Sequence, residues 1–133
     1  MNTQTSIGIS AVVLGVKDLN RAKKFYSEGL GCTIDQDHPG FVSLKLGDGS
    51  PKLGLYTWDS LAADAGVDAG GSGFRGVTFS CFLPTTERVD EVLAKAERAG
   101  GKIVKSGQKA QWGGYSGHFS DPDGYLWKVV VEA

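Results

Sequence analysis

Apolar and polar positions change period several times along this chain, and each change marks an element. Residues 7–16, I-G-I-S-A-V-V-L-G-V, are rich in β-branched side chains and predict a strand. Asp18 then precedes Leu19, Ala22, Phe25, Tyr26 and Leu30, which share one helical face. Asp18 is a good N-cap for that helix, and Gly29 and Gly31 supply its stop. Thr33-Ile34 begins a short strand, and residues 35–40 read as a loop. Phe41 to Leu46 alternates as a strand, Gly47-Asp48-Gly49 turns it, and Lys52 to Trp58 forms the next. Residues 59–73, rich in Ala, Gly and Asp, read as a linker with one short helical turn at Ser60 to Ala65.

The pattern then restarts. Residues 76–83 predict a strand, Pro84-Thr85-Thr86-Glu87 carries helix-start chemistry, and Val89, Val92, Leu93 and Ala96 share a face. Gly100-Gly101 ends that helix, Lys102 to Lys105 is a short strand, and residues 106–114 read as a polar loop around Trp112. A hairpin closes the chain: Gly117-His118-Phe119 enters, Asp121-Pro122-Asp123-Gly124 turns, and Tyr125 to Val131 leaves. Pro122 fixes φ where the turn needs it, and Gly124 supplies the positive φ that ends it. Val129-Val130-Val131 are apolar on both pleat faces, as in a central strand covered on both sides.

The order is β-α-β-β-β, a linker, and β-α-β-β-β again, a repeat with a period of roughly 65 residues. The predicted class is α+β in a single domain, with module one at about 6–58, a linker at about 59–74 and module two at about 75–133. Each half buries its helix on its own sheet and leaves the other sheet face free.

Composition changes this picture little. The 133 residues suit one domain, and twenty glycines favour turns and close backbone approaches over long helices. A formal charge of −1 with dispersed basic residues speaks against nucleic-acid and membrane-surface partners. No apolar run reaches membrane-spanning length, and residues 1–6 are polar rather than signal-like. Cys32 and Cys81 read as small core residues suited to a reducing cytoplasm, so a cytoplasmic location is expected.

Three motifs stand in order at fitting spacings: V-x-D-L-x-x-A-x-x-F-Y at Val16 to Tyr26, L-G at Leu30-Gly31, and D-P-D-G-x-x-W at Asp121 to Trp127. With them the chain resembles the vicinal oxygen chelate superfamily of glyoxalases, bleomycin resistance proteins and extradiol dioxygenases. The resemblance implies paired βαβββ modules whose mixed sheets curl into a U-shaped trough, a ligand site inside the trough, and a homodimer. In the metal-dependent members, trough-facing strand positions supply the ligands. Those positions fall here on Ala11, Gly54, Gly76 and Lys128, where His, a carboxylate, His or Gln, and Glu are usual. Ala and Gly offer no donor, and a lysine ammonium repels a cation. Neither metal nor cofactor is therefore expected. His38 and His118 stand outside those positions, and His38 reads as an exposed loop residue.

Period-two alternation turns Ala11, Val13, Gly54, Tyr56, Gly76, Thr78, Ser80, Leu126, Lys128 and Val130 toward the trough. It turns Val12, Leu14, Leu53, Leu55, Val77, Phe79, Trp127 and Val129 under the helices. Small floor residues imply room, and Tyr56, Trp58, Trp112 and Tyr115 suit stacking on a flat or cationic guest. Lys128 suits an anion anchor, a Schiff-base amine, or a strand lysine that snorkels to solvent. His118 suits a general base or a hydrogen-bonded sheet histidine. The expected ligand-binding set is Tyr56, Trp58, Thr78, Ser80, Trp112, Tyr115, His118 and Lys128, with no catalytic residue assigned. The resulting expectation is a metal-independent protein of the bleomycin-resistance type that sequesters an aromatic small molecule in the trough or a dimer groove. The alternative is a glyoxalase- or dioxygenase-like enzyme with an unconventional site.

Overall fold

The structure, a computed structural model, describes residues 9–65, 68–71, 77–111 and 113–131. Part of the expected linker, Gly76 and Trp112 lie outside them. Strands β1 (Ala11–Val16), β2 (Thr33–His38), β3 (Phe41–Lys45) and β4 (Lys52–Thr57) form one sheet in the order β1-β4-β3-β2. Strands β5 (Thr78–Phe82), β6 (Lys102–Lys109), β7 (Tyr115–Ser120) and β8 (Leu126–Val131) form a second in the order β5-β8-β7-β6. In each sheet the first and last strands of the module pair in parallel and the remaining pairs are antiparallel. The repeat expected from the sequence is thus a repeat of topology, in two separate mixed sheets.

The helices begin where capping chemistry puts them. Asp18 accepts from the Arg21 amide at the start of α1 (Leu19–Lys24), and Thr85 accepts from the Arg88 amide at the start of α3 (Thr86–Arg98). A π-helical turn, Phe25–Gly29, prolongs α1 and is closed by Leu30 N donating to Phe25 O at 2.9 Å. The single helical turn expected at residues 60–65 is a helix, α2 (Trp58–Ala65), so Trp58 opens a helix instead of ending a strand.

Two segments read as loops are strands. Residues 35–38 belong to β2 and residues 106–109 to β6. Each is the outer strand of its sheet, with mostly exposed side chains, so no apolar alternation announces it. Val77 also departs from expectation: it precedes β5 and is 51% exposed instead of packing under a helix.

The modules share one core. Leu14, Val16, Val42, Leu44, Leu53 and Leu55 of the first sheet, and Phe119 and Val129 of the second, close on Phe25, Tyr26, Val89, Leu93 and Ala96 of the helices. Phe25 meets Tyr26 edge-on at 4.9 Å and Phe119 at 6.4 Å, and Phe119 lies parallel to Trp127 at 6.0 Å. Gly29 of the π turn lies so close to Ala99, just past α3, that a Cβ on Gly29 would overlap the Ala99 methyl.

The D-P-D-G turn fastens module two to the β1–α1 corner. Gly124 adopts φ +92°, and its amide donates to Asp121 O at 3.0 Å. Asp121 Oδ1 accepts from the amides of Asp123 and Tyr125, each at 2.9 Å. Its Oδ2 accepts from the Tyr26 hydroxyl at 2.8 Å, and that hydroxyl accepts from Trp127 Nε1 at 3.1 Å. Next to it, Asp123 Oδ1 accepts from Lys17 N at 3.0 Å and Arg21 Nη2 at 2.9 Å, and Tyr125 donates its hydroxyl to Gly15 O at 2.8 Å. Burial pushes the Asp121 carboxyl up and the Tyr26 hydroxyl well above its usual range, so Tyr26 stays a protonated donor.

Candidate functional site

α1 packs on one face of the first sheet and α3 on one face of the second, whereas α2 lies over Gly15 at one end of the first sheet's opposite face. On the first sheet, Val13 and Ser43 pair with Gly54, and Phe41 pairs with Tyr56. These pairs put Val13, Phe41, Ser43, Gly54 and Tyr56 on one face. Gly54 is buried, because Phe41 and Val13 would each come within 3.2 Å of a Cβ placed there. Phe41 also meets Tyr56 edge-on at 5.8 Å. The room expected over this glycine is therefore taken by the Phe41 ring. On the same face Asp35 accepts from Lys52 Nζ at 2.9 Å and Ser43 Oγ at 3.2 Å, and the Lys52 contact lowers the Asp35 pKa.

The second sheet carries a polar row across all of its strands. Ser80 pairs with Lys128, Lys128 with His118, and His118 with Lys105, so the four share the open face. Burial, then the charges of Lys128 and Lys105, lower the His118 pKa below 6.5. The imidazole is then neutral near pH 7, with one donor and one acceptor nitrogen. Thr78 lies on the same face, one pleat period from Ser80. Two ammonium groups, two hydroxyls and a neutral imidazole suit an anionic group on a ligand.

The structure thus brings Thr78, Ser80, His118 and Lys128 together and places Tyr56 on the other sheet. Tyr115 does not join them. It shares a face with Gly117 and Phe119, packs on the core, and donates to Asp90 of α3 at 2.8 Å, the contact that raises its pKa. Trp58 also stands apart, donating Nε1 to Ala69 O at 2.8 Å beside a cavity of ≈ 950 Å³ at the D-P-D-G turn. Asp123 borders that cavity, with its side chain only 2% exposed and its Oδ2 without a hydrogen-bond partner among the described residues. A second cavity, ≈ 680 Å³, opens between the modules and is lined by Ser80 but not by Tyr56, His118 or Lys128. Neither cavity joins the open face of the first sheet to the Lys128–His118 row.

Sequence reasoning missed Lys105 and Phe41. Lys105 reaches the row only across an irregular register between β6 and β7, which periodicity cannot reveal. Phe41 was legible as a strand residue, but its fit over Gly54 depends on the β3–β4 pairing.

The positions that would hold a metal do not fit one. Ala11 and Gly54 carry no donor atoms, and Lys128 stands in the row beside His118. Among the described residues, no group of three or more His, Cys, Asp or Glu side chains is placed to hold a metal ion. Nor is any helix among them long and apolar enough to cross a membrane.

Paired βαβββ modules, each packing a helix on one face of its own sheet, define a two-module α+β protein. The chain belongs to the glyoxalase/bleomycin resistance protein/dioxygenase superfamily, whose sequence profile matches residues 8–129. Solved structures of similar fold include a glyoxalase-related enzyme from Fulvimarina pelagi, with TM-score 0.83 and 23% identity over 94% of this chain and 88% of the other. A family enzyme from Burkholderia phytofirmans has TM-score 0.79 and 19% identity over 93% and 98% of the two chains. A lactoylglutathione lyase from Agrobacterium tumefaciens has TM-score 0.71 and 22% identity over 97% and 96%. At these identities the likeness is one of fold. No curated protein matches the chain significantly.

Proposed function

We propose that this protein is a metal-independent small-molecule binding protein of the bleomycin-resistance type, acting in the cytoplasm by sequestering an aromatic ligand. The observation that carries this reading is Lys128. It occupies the position where metal-dependent relatives place a carboxylate, and it pairs across the sheet with His118 and Ser80. A cation there opposes metal binding and favours a ligand carboxylate, phosphate or sulfonate. Tyr56 and Phe41 supply an aromatic surface on the first sheet. Because neither cavity joins the two open faces in one chain, the complete trough is proposed to form in a homodimer, between one copy's first sheet and the partner's second.

Titration with aromatic antibiotics and with simple aromatic carboxylates, followed by Trp fluorescence, tests this reading. Saturable quenching is expected, and Lys128→Met is expected to weaken anionic ligands by roughly tenfold or more, the worth of one charge-assisted hydrogen bond. Unchanged affinity and selectivity in Lys128→Met would make Lys128 a strand residue only.

One observation favours an enzyme as a second reading: a neutral imidazole, His118, stands cross-strand from the Lys128 ammonium, an acceptor and a donor that general acid–base chemistry can use. A turnover insensitive to chelator and abolished in His118→Gln would support it over sequestration.

A further inference from the structure

We propose that the cavity between the modules is a second ligand site, centred away from the Lys128–His118 pair although Ser80 borders both, for an amphipathic anion: an aliphatic or aromatic body carrying a single carboxylate or sulfonate. Its ≈ 680 Å³ falls within the roughly 300–1,000 Å³ typical of small-molecule pockets. Leu30 and Leu46 of module one and Leu83, Val92 and Trp127 of module two supply its accessible apolar wall, above the fully buried Tyr26 and Phe119.

The charged residues around this apolar lining are of one sign, with Thr33, Ser50 and Ser80 as neutral polar neighbours. Lys45, Arg88 and Lys95 line the cavity, and no Asp or Glu does among the described residues. Arg88 pairs with Glu91 at 2.8 Å, whereas neither Lys45 nor Lys95 enters an ion pair among the described residues. Cys32 and Cys81 also line the cavity, and burial raises both thiols, which therefore add no negative charge near pH 7. Phe82, 68% exposed, offers a further apolar contact along the lining. An apolar wall whose only charged neighbours among the described residues are cations selects for an apolar body bearing a negative head.

The test is a titration of the full chain with decanoate, read by the methyl resonances in ¹H–¹³C NMR. Saturable shifts are expected at Leu30, Leu46, Leu83 and Val92, which border the cavity. Decyltrimethylammonium, with the same chain length and opposite charge, is expected to leave them unmoved. Both lysines are exposed, and the double variant Lys45→Glu/Lys95→Glu is expected to weaken decanoate by roughly tenfold or more. Equal binding of the ammonium compound would overturn the proposal, and that comparison needs no variant to fold. So would the absence of saturable shifts, an unaffected double variant, or shifts confined to residues around Tyr56 and Lys128, which would make decanoate a trough ligand. Decanoate binding that disappears as the chain self-associates would assign the cavity to a second copy and likewise overturn it.

Discussion

Asp121 shows how a family marker becomes a structural fastening. Its carboxylate is almost fully buried, joins two backbone amides of its own turn, and takes the Tyr26 hydroxyl from the other module. Tyr26→Phe removes that donor and the acceptor of Trp127 Nε1, and is expected to cost about 1–3 kcal/mol in urea unfolding. Because burial raises the Asp121 pKa above 3.8, the folded state holds this proton more tightly than the unfolded state does. The associated stabilisation is full below 3.8 and is lost as pH rises through the raised value. Asp121→Asn should therefore lose most, relative to the native chain, at acid pH, with the gap between their urea midpoints narrowing as pH rises. At the candidate site the sign is opposite. His118 titrates below 6.5, so an anionic ligand should bind more tightly as pH falls through that region and the imidazole gains charge. His118→Gln should flatten that dependence in a fluorescence titration. The row around Lys128 was partly legible in the sequence: Ser80 and Lys128 follow from alternation, His118 was singled out only as a histidine of the closing hairpin, and Lys105 depends on a bulged register.

At the level of elements, buried faces were legible and wet edges were not. β1, α1, α3 and the closing hairpin announce themselves by capping residues and apolar period. β2, T-I-D-Q-D-H, and the second half of β6 do not, because an outer strand with exposed side chains needs only backbone pairing. The meeting of the π turn with the end of α3 was also invisible, since it depends on two small residues, Gly29 and Ala99, being adjacent in space. Gly29→Val should therefore destabilise the fold by about 1–3 kcal/mol. Ala99→Gly should recover part of that loss, a coupling that a double-mutant cycle of unfolding midpoints would reveal.

For the whole molecule, the repeat in the sequence foretold paired modules, but not that the modules would share a core and leave their open faces apart. Phe25 and Tyr26 join both halves of that core, which explains why two consecutive aromatic residues are almost fully buried. A trough completed by a second copy predicts that ligand affinity falls when the protein is diluted until sedimentation shows only single chains. The central claim is that this family fold works here without a metal. Elemental analysis of protein purified from metal-supplemented growth, followed by ligand titration before and after chelator treatment, tests it most directly. The account predicts substoichiometric transition metal and an unchanged binding curve. A stoichiometric metal whose removal abolishes binding or a turnover activity would contradict it.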